Sequence, residues 1–175
     1  MALTNKLSAI GNAIRSMTGK TDPLTLDEMP AEITSIQSTG NEKFVDLVEH
    51  TITEVTAGDL AGCTILGQQA FHGCNSLSSV TLPSTLKYID HYAFYNCESL
   101  TSLTIPASVE EIGAYIGMNS GITTITFEGT PEGINSNAFT SNFKLKDIYV
   151  PWDKDAVLGA PWGASSVTIH YNGEV

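Results

Sequence analysis

The sequence is short of positive charge. Its 175 residues include eight lysines and arginines against nineteen aspartates and glutamates, which gives a formal net charge of −11. Arg15 is the one arginine. A protein that binds nucleic acid needs clustered cations to displace the counterions of the phosphates, and an anionic membrane surface repels an acidic chain. We therefore expect no nucleic-acid partner and no attraction to anionic lipid.

Long apolar runs are also missing. No stretch of 18 or more apolar residues occurs, so the sequence predicts no transmembrane helix and no membrane insertion. The first 20 residues lack the basic start and solid apolar block of a signal peptide, which predicts a protein made and folded in a cytoplasm. Apolar residues still make up 42% of the chain, which is enough to bury a core.

Motifs for catalysis, metal binding and cofactor binding are absent as well. The three cysteines, Cys63, Cys74 and Cys97, cannot all pair with one another and form no C-x-x-C motif. The four histidines are scattered, without an H-E-x-x-H motif. Neither the nucleophile motif G-x-S-x-G nor a glycine-rich phosphate-binding motif occurs. The sequence therefore predicts a non-enzymatic protein with no catalytic residues, no metal site and no cofactor.

What the chain does contain is an internal repeat. Residues 66–85 (LGQQAFHGCNSLSSVTLPST) align with residues 89–108 (IDHYAFYNCESLTSLTIPAS), 23 residues later. A third copy is one residue shorter and has Ile116-Gly117 in place of Ala-Phe, and a fourth returns to the pattern with Ala138-Phe139. Self-similarity at this period is typical of a solenoid, in which each copy buries its apolar residues against its neighbours.

Each copy contains a short segment in which alternate residues are apolar. These pairs are Val80/Leu82, Leu103/Ile105, Ile125/Phe127 and Ile148/Val150. Since side chains alternate between the two faces of a strand, the pairs predict stacked parallel strands about 4.8 Å apart. We predict a mainly β solenoid over residues 41–175, with caps at about 44–63 and 152–175. Trp162 is expected to cover the C-terminal end of its core.

Two cysteines occupy equivalent positions one coil apart. Stacking would place the Cα atoms of Cys74 and Cys97 about 5 Å apart, which is within disulfide range. The favoured interpretation is a pair of small buried thiols that fill the core, and a disulfide remains the alternative.

The first 40 residues follow a different pattern. Apolar residues recur at spacings of four and three, at Leu3, Leu7, Ile10, Ile14 and Met17. This spacing predicts a helix over residues 3–17 with a heptad seam, and a capping-box pattern at Thr25 and Glu28 predicts a second helix to about Ile36. Because an isolated helix of about 15 residues is marginal in water, the seam should pack against a partner. We predict an assembly or attachment module with its linker over residues 1–40.

The repeat pattern A-F-x-x-C-x-S-L-x-x-[VL]-x-[LI]-P, over about residues 66–151, resembles the BspA-like leucine-rich repeats of bacterial surface proteins and phage genomes. Residues 13–15 (AIR) and 18–21 (TGKT) are similar to a short helical module at the start of tailed-phage structural proteins. The resemblance implies a leucine-rich-repeat solenoid with an N-terminal α-helical segment. It further implies a tail- or baseplate-associated virion component, and, by analogy with phage fibres, a homo-oligomer with a trimer favoured.

The resemblance to this family implies recognition of a host cell-surface glycan or protein, or contact with other virion proteins. Two alternatives stay open at this point. One is a small intracellular phage protein that binds a host factor. The other is a bacterial surface adhesin, although the missing signal peptide argues against it.

Two rows of residues are candidate binding surfaces. One is an outward-facing column on the strands, formed by Thr81, Thr104, Thr126 and Tyr149. The other is an aromatic ridge on the turn side of the coils, formed by His72, Tyr92, Tyr95 and Tyr115. Leucine-rich repeats often bind partners on the sheet face, and grouped exposed aromatic side chains suit protein contact or sugar stacking. The alternative is that the threonines only keep a flat sheet soluble and that the aromatic residues are half-buried packing residues.

Overall fold

The structure, a computed structural model, describes residues 52–172. The helices predicted at 3–17 and 25–36, the module over residues 1–40 and the start of the N-terminal cap lie outside this range. The described residues form ten short strands: β1 (Glu54–Val55), β2 (Ile65–Leu66), β3 (Ser79–Val80), β4 (Tyr88–Ile89), β5 (Ser102–Ile105), β6 (Glu111–Ile112), β7 (Thr124–Phe127), β8 (Gly133–Ile134), β9 (Asp147–Tyr149) and β10 (Thr168–His170). In this part of the chain, no helix has the length and apolar character needed to cross a membrane.

The strands stack in two rows along a solenoid. In the first row β5, β7, β9 and β10 form a four-stranded parallel sheet, and β1 pairs with β3 in a separate two-stranded sheet. In the second row β2, β4, β6 and β8 form a four-stranded parallel sheet. Paired residues are repeat equivalents, such as Tyr88 with Glu111 and Thr104 with Thr126. The predicted solenoid of short parallel strands is therefore confirmed.

The second row of strands was not predicted. The sequence indicated one strand in each repeat and only a row of buried apolar residues on the way back. That return path contains strands of two residues, such as Tyr88–Ile89, in which one side chain is exposed and the other buried. A strand this short shows no alternation that a sequence pattern can reveal.

The core lies between the two rows and the turns that join them. Along β5 the side chains alternate exposed, buried, exposed, buried, so Leu103 and Ile105 point inward as their spacing predicts. From the turn side, Phe71 and Phe94 enter the core and stack with ring centroids 5.4 Å apart. Burial of a side chain of this size contributes about 1.5–3 kcal/mol to the free energy of unfolding.

Backbone hydrogen bonds join the turns of neighbouring coils. The amide of Phe71 donates to the carbonyl of Ala93 over 2.8 Å, and the amide of Phe94 donates to Ile116 over 2.7 Å. Successive turns also repeat two positions with positive φ, which are Gln69/Gly73, Tyr92/Asn96 and Tyr115/Asn119. The turn conformation is therefore set by the repeat and is kept even where the residue is not glycine.

The C-terminal end of the core is closed by aromatic side chains. Trp162 is fully buried and lies at the position where the sequence placed a covering residue. Its carbonyl accepts a hydrogen bond from the amide of Phe139 over 3.0 Å, and its Nε1 donates to the carbonyl of Leu158 over 3.0 Å. Its ring packs against Phe127, Phe139 and Trp152. Apolar area that an open coil end would expose is covered in this way.

Candidate binding surfaces

The aromatic ridge predicted from the sequence is a continuous group of rings. His72 stacks on Tyr95 with centroids 4.8 Å apart, and Tyr92 stacks on Tyr115 at 5.2 Å. Tyr92 and Tyr95 join the two stacks edge to face at 6.1 Å. All four side chains are half-buried. We call His72, Tyr92, Tyr95 and Tyr115 the aromatic ladder.

The repeat itself positions these rings. Tyr92 and Tyr115 are equivalent residues with φ values of 59° and 60°, and a left-handed conformation costs a non-glycine residue about 1–2 kcal/mol. Hydrogen bonds to the next coil offset this cost, because the amide of Tyr92 donates to Ala114 at 3.1 Å and that of Tyr115 donates to Asn137 at 2.9 Å. Gln69 adopts the same backbone conformation, so this conformation is set by the coil and does not require an aromatic side chain.

The stacking of the rings determines which of their parts a partner can contact. Within each stacked pair the planes lie within 14° of parallel, so the facing ring surfaces cover each other. One face of each ring is covered in this way, and the ring edges and the phenol groups of the tyrosines remain for a partner. A sugar stacks on a free aromatic face, whereas protein interfaces are rich in tyrosine, which combines an apolar body with a polar tip. The geometry therefore suits a protein contact better than sugar stacking.

The outward-facing column is only partly continuous. Thr104, Thr126 and Tyr149 are neighbours in register on β5, β7 and β9. Thr81 follows β3, which pairs with β1 and not with β5, and its amide donates to the carbonyl of Val55 at 2.8 Å. The first-row sheet is thus broken between Thr81 and Thr104, so the structure brings three of the four predicted column residues together.

The sequence missed the continuation of this column at its C-terminal end. His170 is the register neighbour of Tyr149, and their rings stack at 4.3 Å with planes 9° apart. The Nε2 atom of His170 lies 2.9 Å from Oδ1 of Asp147. The register of this last coil is 21 residues, two fewer than the repeat period, so the repeat pattern could not have placed His170 beside Tyr149.

The cysteines do not form a reactive site. Cys74 and Cys97 are buried free thiols, and the Sγ–H of Cys97 donates to the carbonyl of Phe71 at 3.0 Å. Burial raises the pKa of Cys74 to about 12 and raises the pKa of Cys97 as well. The thiolate, which is the nucleophilic form, is therefore disfavoured at neutral pH. Between residues 52 and 172 no group of three or more histidine, cysteine, aspartate or glutamate side chains could hold a metal ion.

Comparison with known proteins identifies the repeats. Residues 38–157 match the BspA type leucine rich repeat region, in six copies. The chain belongs to this leucine-rich repeat family. The match begins after the segment whose residues resemble a phage module, so the phage origin stays a prediction. The candidate seam at Leu3, Leu7, Ile10, Ile14 and Met17 precedes both the match and the described residues.

Solved leucine-rich repeat structures share the fold. A protein from Bacteroides ovatus is 28% identical with a TM-score of 0.58, and the match covers 69% of this chain and 30% of that one. A protein from T. pallidum is 24% identical with a TM-score of 0.55, over 70% of this chain and 57% of that one. This chain therefore matches less than two thirds of either structure. No curated protein matches the sequence.

The repeat fold of this family is generally a non-enzymatic binding scaffold, and leucine-rich repeat proteins commonly mediate protein–protein contact. This agrees with the aromatic ladder, whose ring edges suit a protein partner.

Proposed function

We propose that this chain is a recognition protein that uses the aromatic ladder to bind a protein on the surface of a host cell. The observation that carries the proposal is the ladder itself, in which four aromatic side chains join three successive coils into one half-exposed strip. Grouped aromatic side chains dominate the energy of many protein interfaces. A parallel solenoid holds them rigidly, so little side-chain entropy is lost on binding.

We further propose that the protein works as a tail- or baseplate-associated component of a phage virion. The support is the resemblance of residues 13–15 and 18–21 to phage structural proteins and the predicted seam between Leu3 and Met17. A homo-oligomer would present several ladders at once, and multivalent presentation strengthens binding without any new contact.

Binding to intact cells tests the proposed partner. The fluorescently labelled full chain is added to a panel of intact bacterial species that are untreated, protease-treated or periodate-treated. Saturable binding that is lost after protease treatment supports a protein partner. Loss after periodate treatment alone would replace it with a glycan, and binding only in lysate would favour an intracellular host factor.

Light scattering on the full chain tests the predicted seam. The double variant Leu7→Asp/Ile14→Asp places two carboxylates on the apolar stripe and should reduce the chain to a monomer. The matched variant Asn5→Asp/Asn12→Asp adds the same charge off the stripe and should leave the mass unchanged. A monomeric wild-type chain at high concentration would contradict self-assembly through this seam.

A further inference from the structure

The second row of strands carries a groove that belongs to neither candidate surface. It is a shallow depression of about 690 Å³ on the outer side of the β2–β4–β6–β8 sheet. The outward strand positions that line it are Ile65, Tyr88, Glu111 and Gly133, in register on successive coils. Asp90, His91, Gly113 and Asn135 line it beyond the strand ends.

Gly113 and Gly133 both line this groove, but only Gly133 has room for a side chain. A Cβ atom on Gly113 would lie 2.8 Å from the backbone nitrogen of His91, so only glycine fits at this position. A Cβ atom on Gly133 would meet only the Cγ atom of Glu111, at an ordinary 3.8 Å. Because nothing in the fold requires glycine at 133, its missing side chain simply leaves room above β8.

One end of the groove is apolar and uncovered. Ile65 is 51% exposed and Tyr88, its register neighbour, is 39% exposed. Unlike the rings of the aromatic ladder, the ring of Tyr88 has no aromatic partner in the described part of the chain. A neighbouring isoleucine and tyrosine exposed on a flat sheet form an apolar contact area that a partner can cover.

The other end of the groove is negatively charged. The exposed carboxylate of Glu111 has no ion pair or hydrogen bond within residues 52–172, and Asp90 lies beside it in the lining. Lys87, which precedes Tyr88, is already paired with Glu110 at 2.6 Å. Nδ1 of His91 accepts a hydrogen bond from the amide of Ala114 at 2.8 Å, and its Nε2 lies 3.8 Å from Oδ1 of Asp90. The groove therefore has a carboxylate without a paired cation among the described residues, that of Glu111, next to the exposed apolar side chains of Ile65 and Tyr88.

We propose that this groove binds an extended peptide segment of a partner protein that has apolar residues at one end and lysine or arginine at the other. The apolar side chains would cover Ile65 and Tyr88, and a cation would lie over Glu111 and Asp90. Three steps between the four strands span about 14 Å, the length of four or five extended residues. The net charge of −11 draws a cationic segment toward this face.

Titration with synthetic peptides tests this site. The probe is an eight-residue peptide of four leucines followed by four lysines, and the comparison peptides replace the lysines with glutamates or the leucines with serines. Binding to the full chain is followed by fluorescence anisotropy and by the amide resonances of Gly113 and Gly133. We expect the leucine–lysine peptide to bind at least tenfold more tightly than either comparison and to shift these two glycine resonances.

Matched variants locate the binding. Gly133→Gln fills the open position and should weaken binding at least tenfold, whereas Gly58→Gln, at an exposed turn with ordinary contacts, should not. Glu111→Gln should weaken binding about two- to fivefold at low salt and not at high salt, whereas Glu98→Gln should leave it unchanged. Unchanged melting temperatures show that each variant is folded.

Three results would overturn the proposal. The first is binding that survives Gly133→Gln in a folded protein. The second is a set of resonance shifts spread over the whole acidic surface and absent from Gly113 and Gly133. The third is a neutral sugar probe, chitohexaose, that shifts the two glycines at every salt concentration while the leucine–lysine peptide does not.

Discussion

The core along the turn side differs between the first coils and the later ones. In the first coils Phe71 stacks on Phe94, and the thiols of Cys74 and Cys97 lie beside them. At the equivalent positions the third coil has Gly117 and Ser120, and the fourth has Phe139 and Asn142. The phenyl ring is therefore missing from the third coil, and polar groups replace the thiols in both. Backbone bonds nevertheless continue, from Phe94 to Ile116 at 2.7 Å and from Ile116 to Ala138 at 2.9 Å. A coil can therefore depart from the side-chain pattern of the repeat and still stack on its neighbours through backbone hydrogen bonds.

The polar side chains of the later coils are only partly satisfied. Ser120 Oγ donates to the carbonyl of Gly117 at 2.7 Å. Asn142 is buried, and its Nδ2 has no hydrogen-bond partner among residues 52–172. The aromatic cluster of Phe127, Phe139, Trp152 and Trp162 lies at the same end of the molecule. We infer that the later coils obtain part of their apolar packing from this cluster, in which Trp152 and Trp162 add to the repeat residues Phe127 and Phe139.

Truncating the tryptophan of this cluster should have the largest effect. Trp162→Ala leaves a cavity against three aromatic neighbours and should lower the free energy of unfolding by about 3–5 kcal/mol. Urea denaturation of the full chain measures this loss, and Trp162→Phe should recover part of it. A loss below about 1 kcal/mol would mean that the cluster does not support the later coils.

Two glycines in the third coil should respond differently to alanine. A Cβ on Gly121 would overlap the backbone carbonyl oxygen of Glu98, which cannot move without shifting a coil, so Gly121→Ala should cost about 1–3 kcal/mol. A Cβ on Gly117 would meet only side-chain tips of Asn142, Ile122 and Ser120, so Gly117→Ala should cost less than about 1 kcal/mol. Thermal melts compare the two variants directly, and equal losses would contradict the view that the side chains around Gly117 can move aside while the backbone beside Gly121 cannot.

Alkaline pH should weaken the first coils selectively. In the unfolded chain a cysteine loses its proton near pH 9, but burial raises the pKa of Cys74 to about 12 in the folded protein. Stability from this thiol is therefore constant below about pH 9 and falls above it, by about 2 kcal/mol at pH 10.5. Urea denaturation at pH 8 and pH 10.5 measures the fall. The fall should be smaller in the variant Cys74→Ser/Cys97→Ser, and an equal fall would assign it to other groups.

Restoring the repeat residue at 142 should give the smallest effect. Asn142→Cys removes a buried amide nitrogen that has no partner among residues 52–172 and places the repeat's thiol at this position, so we expect a gain of about 1 kcal/mol. The exposed residue Asn137 provides a matched control, since Asn137→Ser should change stability little. A destabilised Asn142→Cys variant would show that the polar pair of Ser120 and Asn142 is better adapted than the thiols.

Periodicity explains what the sequence could predict. The 23-residue spacing revealed the repeat, the inward pairs such as Leu103/Ile105 and the grouping of Tyr92 with Tyr115. It could not reveal the two-residue strands or the sheet break before β5. Nor could it reveal the stacking that covers one face of each ring in the aromatic ladder, because these features depend on side-chain and backbone geometry. The groove was not predicted because the sequence indicated no strands in this row. Gly133 also leaves room by lacking a side chain, and no periodic pattern records such a gap.

The aromatic ladder crosses the boundary between the regular and the degenerate coils, from His72 to Tyr115. Asparagine favours the left-handed backbone that Tyr92 and Tyr115 adopt, as Asn96 and Asn119 show in the same turns. The double variant Tyr92→Asn/Tyr115→Asn therefore removes two rings without adding backbone strain. Gln69→Asn makes the equivalent change in the first coil without removing a ring.

Saturation binding of these variants to intact cells that bind the wild-type chain tests the central claim most directly. We expect Tyr92→Asn/Tyr115→Asn to bind at least tenfold more weakly while it melts as a folded protein, and Gln69→Asn to bind like the wild type. Equal binding by the double variant and the wild type would contradict the assignment of recognition to the aromatic ladder.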